Sequence, residues 1–454
     1  MNSNLMDSTS ATMAYPDTGT NQTGTTGNTD DLSSEAVDTS NSDLVDPCNA
    51  PGETIYVVDN ILSDASWTCN NTYVLDGGVF VGDATHSAVL HIAPGTVILG
   101  SSQRKGFLKI SRGSQIRAEG TLEKPIVFTS DRPRGQRHTG DWAGLFIDGS
   151  ATINDCLSQA ADGSCERISE AVGGWYGGSD DGDSSGVLRY VRVEFAGADI
   201  VGDAPCNGIT LNGVGSGTIV EYVQVHRCGD DGIELFGGTV NLKHIYISGV
   251  SDDSLGWRIG WRGNAQFMVF QHLLDTHGDQ GIEGESNSDD PLATPVSYPV
   301  LSNVTIIGPN DAASPDYPDI GILLREGTGA DIYNAIVANY VDACLDIDNE
   351  HTWRNLAAGN LRIAHSMISC GVDFLEWDEQ ESFEGSVETD FFFAGEGNSV
   401  VDDSADILNG YYSINAAQTG ASIPVEPFFD TVVYIGGVTA ADNWLSGWTT
   451  DADK

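Results

Sequence analysis

The sequence is short of cations. Its 454 residues include 20 Lys plus Arg against 66 Asp plus Glu, a formal charge of −46, and the first cation is Arg104. A nucleic-acid surface needs a clustered cationic field, so that class of partner is excluded. Charged residues amount to only 19%, below the roughly 25% of average usage. The acidity therefore reflects missing cations more than abundant anions, and it is compatible with a halophilic or Ca²⁺-rich setting. No run of about 18 apolar residues occurs, which excludes an ordinary transmembrane helix. The first residues lack the cationic and apolar regions of a signal peptide, and no lipobox cysteine follows an apolar leader. CxxC, HExxH and phosphate-loop motifs are also missing, which removes zinc ribbons, thioredoxin-like chemistry, zincins and P-loop enzymes.

What is present is glycine, 54 residues, and short apolar alternations such as VLHIAPGTVILG, FLKISRGSQIRAEG and PIVFTSD, each ended by Gly, Pro or Asp. These read as strands of about 4 to 6 residues with turn punctuation. Residues 1–47 are Ser, Thr, Asp, Asn and Gly in irregular order, the composition of a disordered tether. Residues 48–450 then form one domain, with loop insertions near 150–186 and 285–319.

A repeat organises that domain. Asn207-Gly208-Ile209-Thr210-Leu211 aligns with Asp231-Gly232-Ile233-Glu234-Leu235, and the series continues at Asp253, Gln280, Ile320, Ala343 and Cys370, with steps of 24, 22, 27, 40, 23 and 27 residues. A second register runs half a repeat out of phase, at Tyr190, Tyr222, His244, Asn303, Asn334 and His365. Two strand registers per period describe a coil that returns to stack on itself, rising about 4.8 Å each turn. The fold expected is all-β, a parallel β-helix, right-handed by the strong preference of parallel crossovers. Propeller blades and leucine-rich repeats have other periods.

Eight cysteines fall as four sequence-local couples, Cys48 with Cys69, Cys156 with Cys165, Cys206 with Cys228 and Cys344 with Cys370. Two couples are one repeat apart, so disulfides between neighbouring coils are expected, and with them an oxidising compartment. The alternative is buried free thiols.

The run Ile92-Ala93-Pro94-Gly95-Thr96-Val97-Ile98, with Ile116-Arg117-Ala118-Glu119-Gly120-Thr121, Gly140-Asp141-Trp142-Ala143-Gly144, Asp230-Asp231-Gly232-Ile233-Glu234 and Gly278-Asp279-Gln280-Gly281-Ile282-Glu283, resembles secreted or outer-surface parallel β-helix proteins of Gram-negative bacteria, often lipoproteins. The resemblance covers roughly residues 50–450. It implies the architecture and an extracellular or cell-surface location, while chemistry must come from the site.

Equivalent outward positions on successive coils form ladders, and one ladder is acidic: Asp230, Asp231 and Glu234, then Asp252 and Asp253, then Asp279, Glu283 and Glu285. Ile233, Leu255 and Ile282 alternate with them and should point inward. Stacked carboxyls repel unless protons or cations neutralise them, and an oxygen-rich ladder suits Ca²⁺. We therefore assign Asp230, Asp252, Asp279 and Glu285 as candidate metal ligands, and Asp231, Glu234, Asp253 and Glu283 as candidate catalytic carboxylates at glycosidase-like separations. Gly229-Asp230-Asp231 resembles the paired-aspartate element of polygalacturonases, but their Asn-Thr-Asp, Gly-His-Gly and Arg-Ile-Lys elements are missing. The bland alternative is that these Asp residues merely cap backbone groups at turns.

Trp257-Arg258-Ile259-Gly260-Trp261-Arg262 combines rings that stack on sugars with guanidiniums that grip carboxylates. Trp257, Arg258, Trp261, Arg262 and Arg325 are the candidate ligand-binding residues. A loop folded back over the core edge is the alternative for this segment. The stretch around Asp180-Asp181-Gly182-Asp183 reads as a loop, because it lacks the closing Glu of an EF-hand. His244 and His365 read as structural, whereas His226, His272, His277 and His351 are unpaired acid/base candidates. Nine early cations (Arg104, Lys105, Lys109, Arg112, Arg117, Lys124, Arg132, Arg134 and Arg137) read as a solvated surface, with a patch for an anionic polysaccharide or a surface partner protein as the alternative. The functional expectation is a β-helix that binds an extended ligand, polysaccharide above all, with Ca²⁺. The alternatives are a polysaccharide lyase or glycoside hydrolase, and a purely structural or adhesive surface protein.

Overall fold

The computed structural model describes residues 46–169, 171–200, 206–276, 278–309, 320–375, 387–420, 424 and 427–450. The segment expected to be a tether, up to residue 45, and His277 lie outside these residues.

The described residues form a right-handed parallel β-helix built from two long sheets. The second sheet has nine strands stacked in sequence order, from Gly78–Val81 through Phe107–Ile110, Gly144–Asp148, Ile209–Val214, Ile233–Gly238, Leu255–Arg258, Gln280–Gly284 and Ile320–Leu324 to Ala343–Ile347. Each strand is separated from the next by a passage through the first, 16-stranded sheet. That alternation is the two-register repeat. The pairings Ile209↔Ile233, Ile233↔Leu255, Leu255↔Ile282, Ile282↔Ile322 and Ile322↔Leu345 reproduce the steps from the residue positions. The last step differs: Leu345 bridges Phe374, so Ala343 faces Val372 and not Cys370, a slip of two residues.

The side-chain period of two separates the faces of the second sheet. Leu108, Leu145, Ile209, Ile233, Leu255, Ile282, Ile322 and Leu345 form one buried inward file. A second inward file runs Ile110, Ile147, Leu211, Leu235, Trp257, Gly284, Leu324 and Ile347. Gly284 is required there, because a Cβ on it would sit 2.4 Å from Trp257 Cζ2. The indole fills the space of two coils.

Long strands of the first sheet bend in the middle, and the bend is the second register. Tyr190, Tyr222, His244, Phe267, Asn303, Asn334 and His365 all have positive φ, between 49° and 60°. Such backbone is costly for residues with bulky side chains, so the position must be held from outside. The rings of Tyr190, Tyr222, His244 and Phe267 stack at centroid spacings of 4.5, 4.2 and 5.0 Å. The C-terminal segment covers them through Trp444 and Trp448. Asn303 Nδ2 donates to the carbonyl of Tyr434 at 2.8 Å. His244 is therefore structural, as expected.

Disulfides join Cys48 to Cys69, Cys156 to Cys165 and Cys344 to Cys370. The fourth expected pair is corrected: Cys206 and Cys228 are free, buried thiols. Burial pushes the Cys206 thiol up to about 12 and that of Cys228 well above the usual range, which disfavours the thiolate that disulfide exchange requires.

The early cations divide among partners. Arg104 pairs with Asp76, Arg112 with Glu166, Lys124 with Asp46 and Arg132 with Asp141. Lys109 contradicts the surface reading, since it is fully buried.

A cleft on the outer face of the second sheet

The acidic ladder lies where the chain enters strands Ile233–Gly238, Leu255–Arg258 and Gln280–Gly284, on the outer face of the second sheet. It lines a cleft of about 420 Å³ whose walls include Phe146, Tyr176, Asn207 and Thr210. Glu234 and Glu283 occupy the same outward file with Gly256 between them. A Cβ at Gly256 would approach Asp231 Oδ2 to 2.9 Å and Glu234 Cγ to 3.2 Å. The missing side chain is what lets the carboxyls close over this strand.

The aspartates form two columns. Asp231 and Asp253 are buried, and each caps the coil that follows it. The Asp253 N–H donates to Asp231 Oδ1 at 3.0 Å, and the Gln280 N–H donates to Asp253 Oδ1 at 2.9 Å. The turn-capping role is therefore present, but it uses one oxygen of each. Asp230, Asp252 and Asp279 stand half-buried in front. Asp230, Asp231 and Asp252 bring carboxylate oxygens within 4.8 Å of one another, as do Asp252, Asp253 and Asp279. Asp252 belongs to both groups, and Asp279 Oδ1 is buried without a hydrogen-bond partner.

The glutamates are neutralised differently. Arg258 Nε lies 2.8 Å from Glu234 Oε1, and its other nitrogens lie 3.6 Å from Glu283 and 3.8 Å from Glu285. Arg325 lies 2.7 Å from Glu283 and 2.8 Å from Glu285. Asn207 Nδ2 donates to Glu234 Oε2 at 2.6 Å. Glu285 is thus corrected from a metal ligand to a guanidinium partner, since it lies on the arginine side of the cleft. Sequence reasoning missed Asn207 as a site residue, although it heads the aligned column Asn207, Asp231, Asp253.

Two guanidiniums cannot neutralise eight carboxyls, and protonation equilibria reflect this. Burial, followed by the charges of Asp252 and Glu234, pushes Asp230 up to about 8. Burial and Asp252 push Asp279 up to about 6. Burial pushes Glu283 up to about 7 against the pull of Arg325. Asp231 and Asp253 are raised well above the carboxylate range by burial and by neighbouring carboxyls. The neighbouring glutamates raise Arg258 further, although burial opposes them.

The aromatic part of the ligand-binding expectation is overturned. Trp257 and Trp261 are 1% and 0% exposed. Trp257 follows Leu255 at the same strand parity and so points inward, where its Nε1 donates to Thr328 Oγ1. Trp261 Nε1 donates to the carbonyl of Val240. Arg262 is also outside the cleft, 3.2 Å from Asp181. Asp181 and Asp183 accept backbone N–H groups of Thr152 and Ser150, so this stretch is a capped loop. His226 and His272 bond Ser248 and Ser254 away from the cleft lining.

Residues 59–374, more than half of the chain, match the family model described as the pectate-lyase-like β-helix domain. The chain belongs to this family. No curated protein matches it. Among solved structures, it is similar to the catalytic unit of a thermostable GH87 α-1,3-glucanase from Streptomyces thermodiastaticus strain HF3-3. That likeness has 11% identity and a TM-score of 0.31, and covers 78% of this chain and 65% of the glucanase unit. A second is the Dettilon tailspike protein, at 11% identity and a TM-score of 0.22, covering 67% of this chain and 55% of the tailspike. The cleft of this chain combines aspartates on three consecutive coils with three glutamates that share Arg258 and Arg325.

Proposed function

We propose that this pectate-lyase-like β-helix protein works outside the cytosol, where it binds an extended polysaccharide along the second sheet with Ca²⁺ held by Asp230, Asp231, Asp252, Asp253 and Asp279. The observation that carries this reading is the pair of oxygen clusters sharing Asp252 at the floor of an open cleft, where Arg258 and Arg325 act on Asp252 only at longer range, their ion pairs being with Glu234, Glu283 and Glu285. The donor set fits a hard cation: every ligand is a carboxylate oxygen, Ca²⁺ takes 6–8 oxygens, and the buried Asp279 Oδ1 lacks a partner. Bound Ca²⁺ supplies the positive charge that uronate carboxylates or sugar hydroxyls need in order to approach so acidic a surface. Arg258 and Arg325 hold Glu234, Glu283 and Glu285 in fixed positions as further acceptors for sugar hydroxyls. The three disulfides support an oxidising compartment.

Recognition here is polar, because the tryptophans are internal. Lyase chemistry is the weaker reading: Arg258 and Arg325 are both held more firmly protonated by their glutamates, the opposite of what a general base needs. Hydrolysis is the better second reading, because Glu283 and Asp230 titrate near neutrality beside other carboxyls, the property of a general acid.

The test is a panel of uronate-containing and neutral polysaccharides, assayed in Ca²⁺ and in chelator for binding, new reducing ends and unsaturated product. Ca²⁺-dependent binding without product supports the proposal. New reducing ends would favour the hydrolase, and absence of binding to every polysaccharide in Ca²⁺ would refute both.

A further inference from the structure

Lys109 and Asp148 occupy neighbouring strands of the second sheet, Phe107–Ile110 and Gly144–Asp148, the latter two coils before the strand Ile233–Gly238. Their side chains are 0% and 1% exposed, and Lys109 Nζ lies 2.6 Å from Asp148 Oδ2. Asp148 Oδ2 has no well-aligned hydrogen-bond donor, while Asp148 Oδ1 accepts from Asn212 Nδ2 at 2.9 Å. Nζ also donates to the carbonyl of Gly173 at 2.5 Å. Gly174 closes the pair off: with φ at +92°, a Cβ there would meet Lys109 Nζ at 3.1 Å and Asp148 Oδ2 at 3.2 Å. A lysine is almost never fully buried, and among the described residues the aspartate is its ionic partner.

We propose that Lys109 and Asp148 join as an isopeptide, an amide between Nζ and Cγ that links two adjacent coils covalently. The Nζ lone pair attacks Cγ, the C–N bond forms, the Cγ–O bond of the protonated acid breaks, and an amine proton leaves with the hydroxyl as water. No redox partner or cofactor is needed. The reaction requires a neutral amine and a neutral acid, and burial drives both that way, lowering Lys109 and raising Asp148 to about 6. Asn212 Nδ2 donates to the oxygen on which negative charge develops, as an oxyanion donor does. Fixing the two groups in contact supplies the effective concentration that a bimolecular amidation lacks. Asp148 also lines a hollow of about 450 Å³ with Arg112 and Trp175, which can receive the released water.

The test is mass spectrometry of the full chain after denaturation and disulfide reduction. The proposal predicts an intact mass lower than the sequence mass by one water, and a tryptic species in which residues 106–112 are joined to residues 138–167. Asp148→Ala and Lys109→Met should each restore the sequence mass. An unmodified wild-type mass, with cleavage after Lys109, overturns the proposal whether or not the variants fold. A deficit of one ammonia mapped to residues 193–227 would also overturn it, by assigning Asn212 as the partner.

Discussion

Replacing Asp252 by Asn should stabilise the Ca²⁺-free protein at high pH and leave it unchanged at low pH. Asp252 belongs to both oxygen clusters, with oxygens within 4.8 Å of its neighbours. Two ionised carboxylates at that separation repel by about 3 kcal/mol at an effective dielectric near 20. The sign follows from the raised carboxyls. A carboxyl whose folded pKa exceeds its unfolded value carries no penalty while both states are protonated. It destabilises progressively as pH rises above the unfolded value, up to the folded one. For Asp230 that window runs from 3.8 to about 8. Wild type in chelator should therefore lose stability as pH rises from about 4 to about 8. Asp252→Asn removes one charge from the cluster but not the burial, so a recovery of about 2 kcal/mol at pH 8.5 is expected, or roughly 2 °C in a chain of this size. The same variant should lose most of the Ca²⁺-induced rise in melting temperature, which in wild type should be larger at pH 8 than at pH 5. Differential scanning calorimetry at the two pH values, with Ca²⁺ and with chelator, measures all four quantities. A variant destabilised equally at both pH values would refute the reasoning, since Asp252 would then act as an ordinary hydrogen-bonding residue.

Arg258→Ala should cost about 3 kcal/mol in denaturant unfolding at pH 7.5, because it leaves the buried Glu234, Glu283 and Glu285 short of a cation. The loss should shrink at pH 5, below the value of about 7 to which burial pushes Glu283. Trp257→Ala should also destabilise by about 3–5 kcal/mol, yet polysaccharide affinity measured at a temperature where the variant is folded should be unchanged, because the ring never reaches the cleft. Removing the Cys344–Cys370 bridge by double Ala substitution should lower stability by about 3.5 kcal/mol, given its 26-residue separation and loop-closure entropy. Cys206 and Cys228 should resist thiol reagents in the native protein and react only on unfolding.

The coil was legible because its signal is periodic. Inward Ile233, Leu255 and Ile282 recur against outward polar neighbours, so spacing alone places the acidic ladder on adjacent turns. The bend register was equally readable, since Asn303, Asn334, His244 and His365 stand in line. Its cause, the positive φ shared with Tyr190, Tyr222 and Phe267, is a backbone property that no residue pattern states. Trp257 was legible and misread: it shares parity with Leu255, which already required it to point inward, and Gly284 one coil on provides the room. Glu285 and Arg262 could not be placed in this way, because they lie one and four residues past the ends of their strands, where alternation ceases and partner choice depends on loops. Lys109 was hidden for a different reason. Outward parity normally means solvent, and only the insertion carrying Gly173 and Gly174 turns that position into an interior.

The most direct measurement is diffraction from crystals of the full chain grown at pH 8 with Ca²⁺, using anomalous scattering to locate the ion. The account predicts an anomalous peak bounded by Asp252 and at least two of Asp230, Asp231, Asp253 and Asp279, and its disappearance in crystals of Asp252→Asn. No peak at saturating Ca²⁺, with Asp230 and Asp252 instead sharing a proton across a direct carboxyl hydrogen bond, would contradict it.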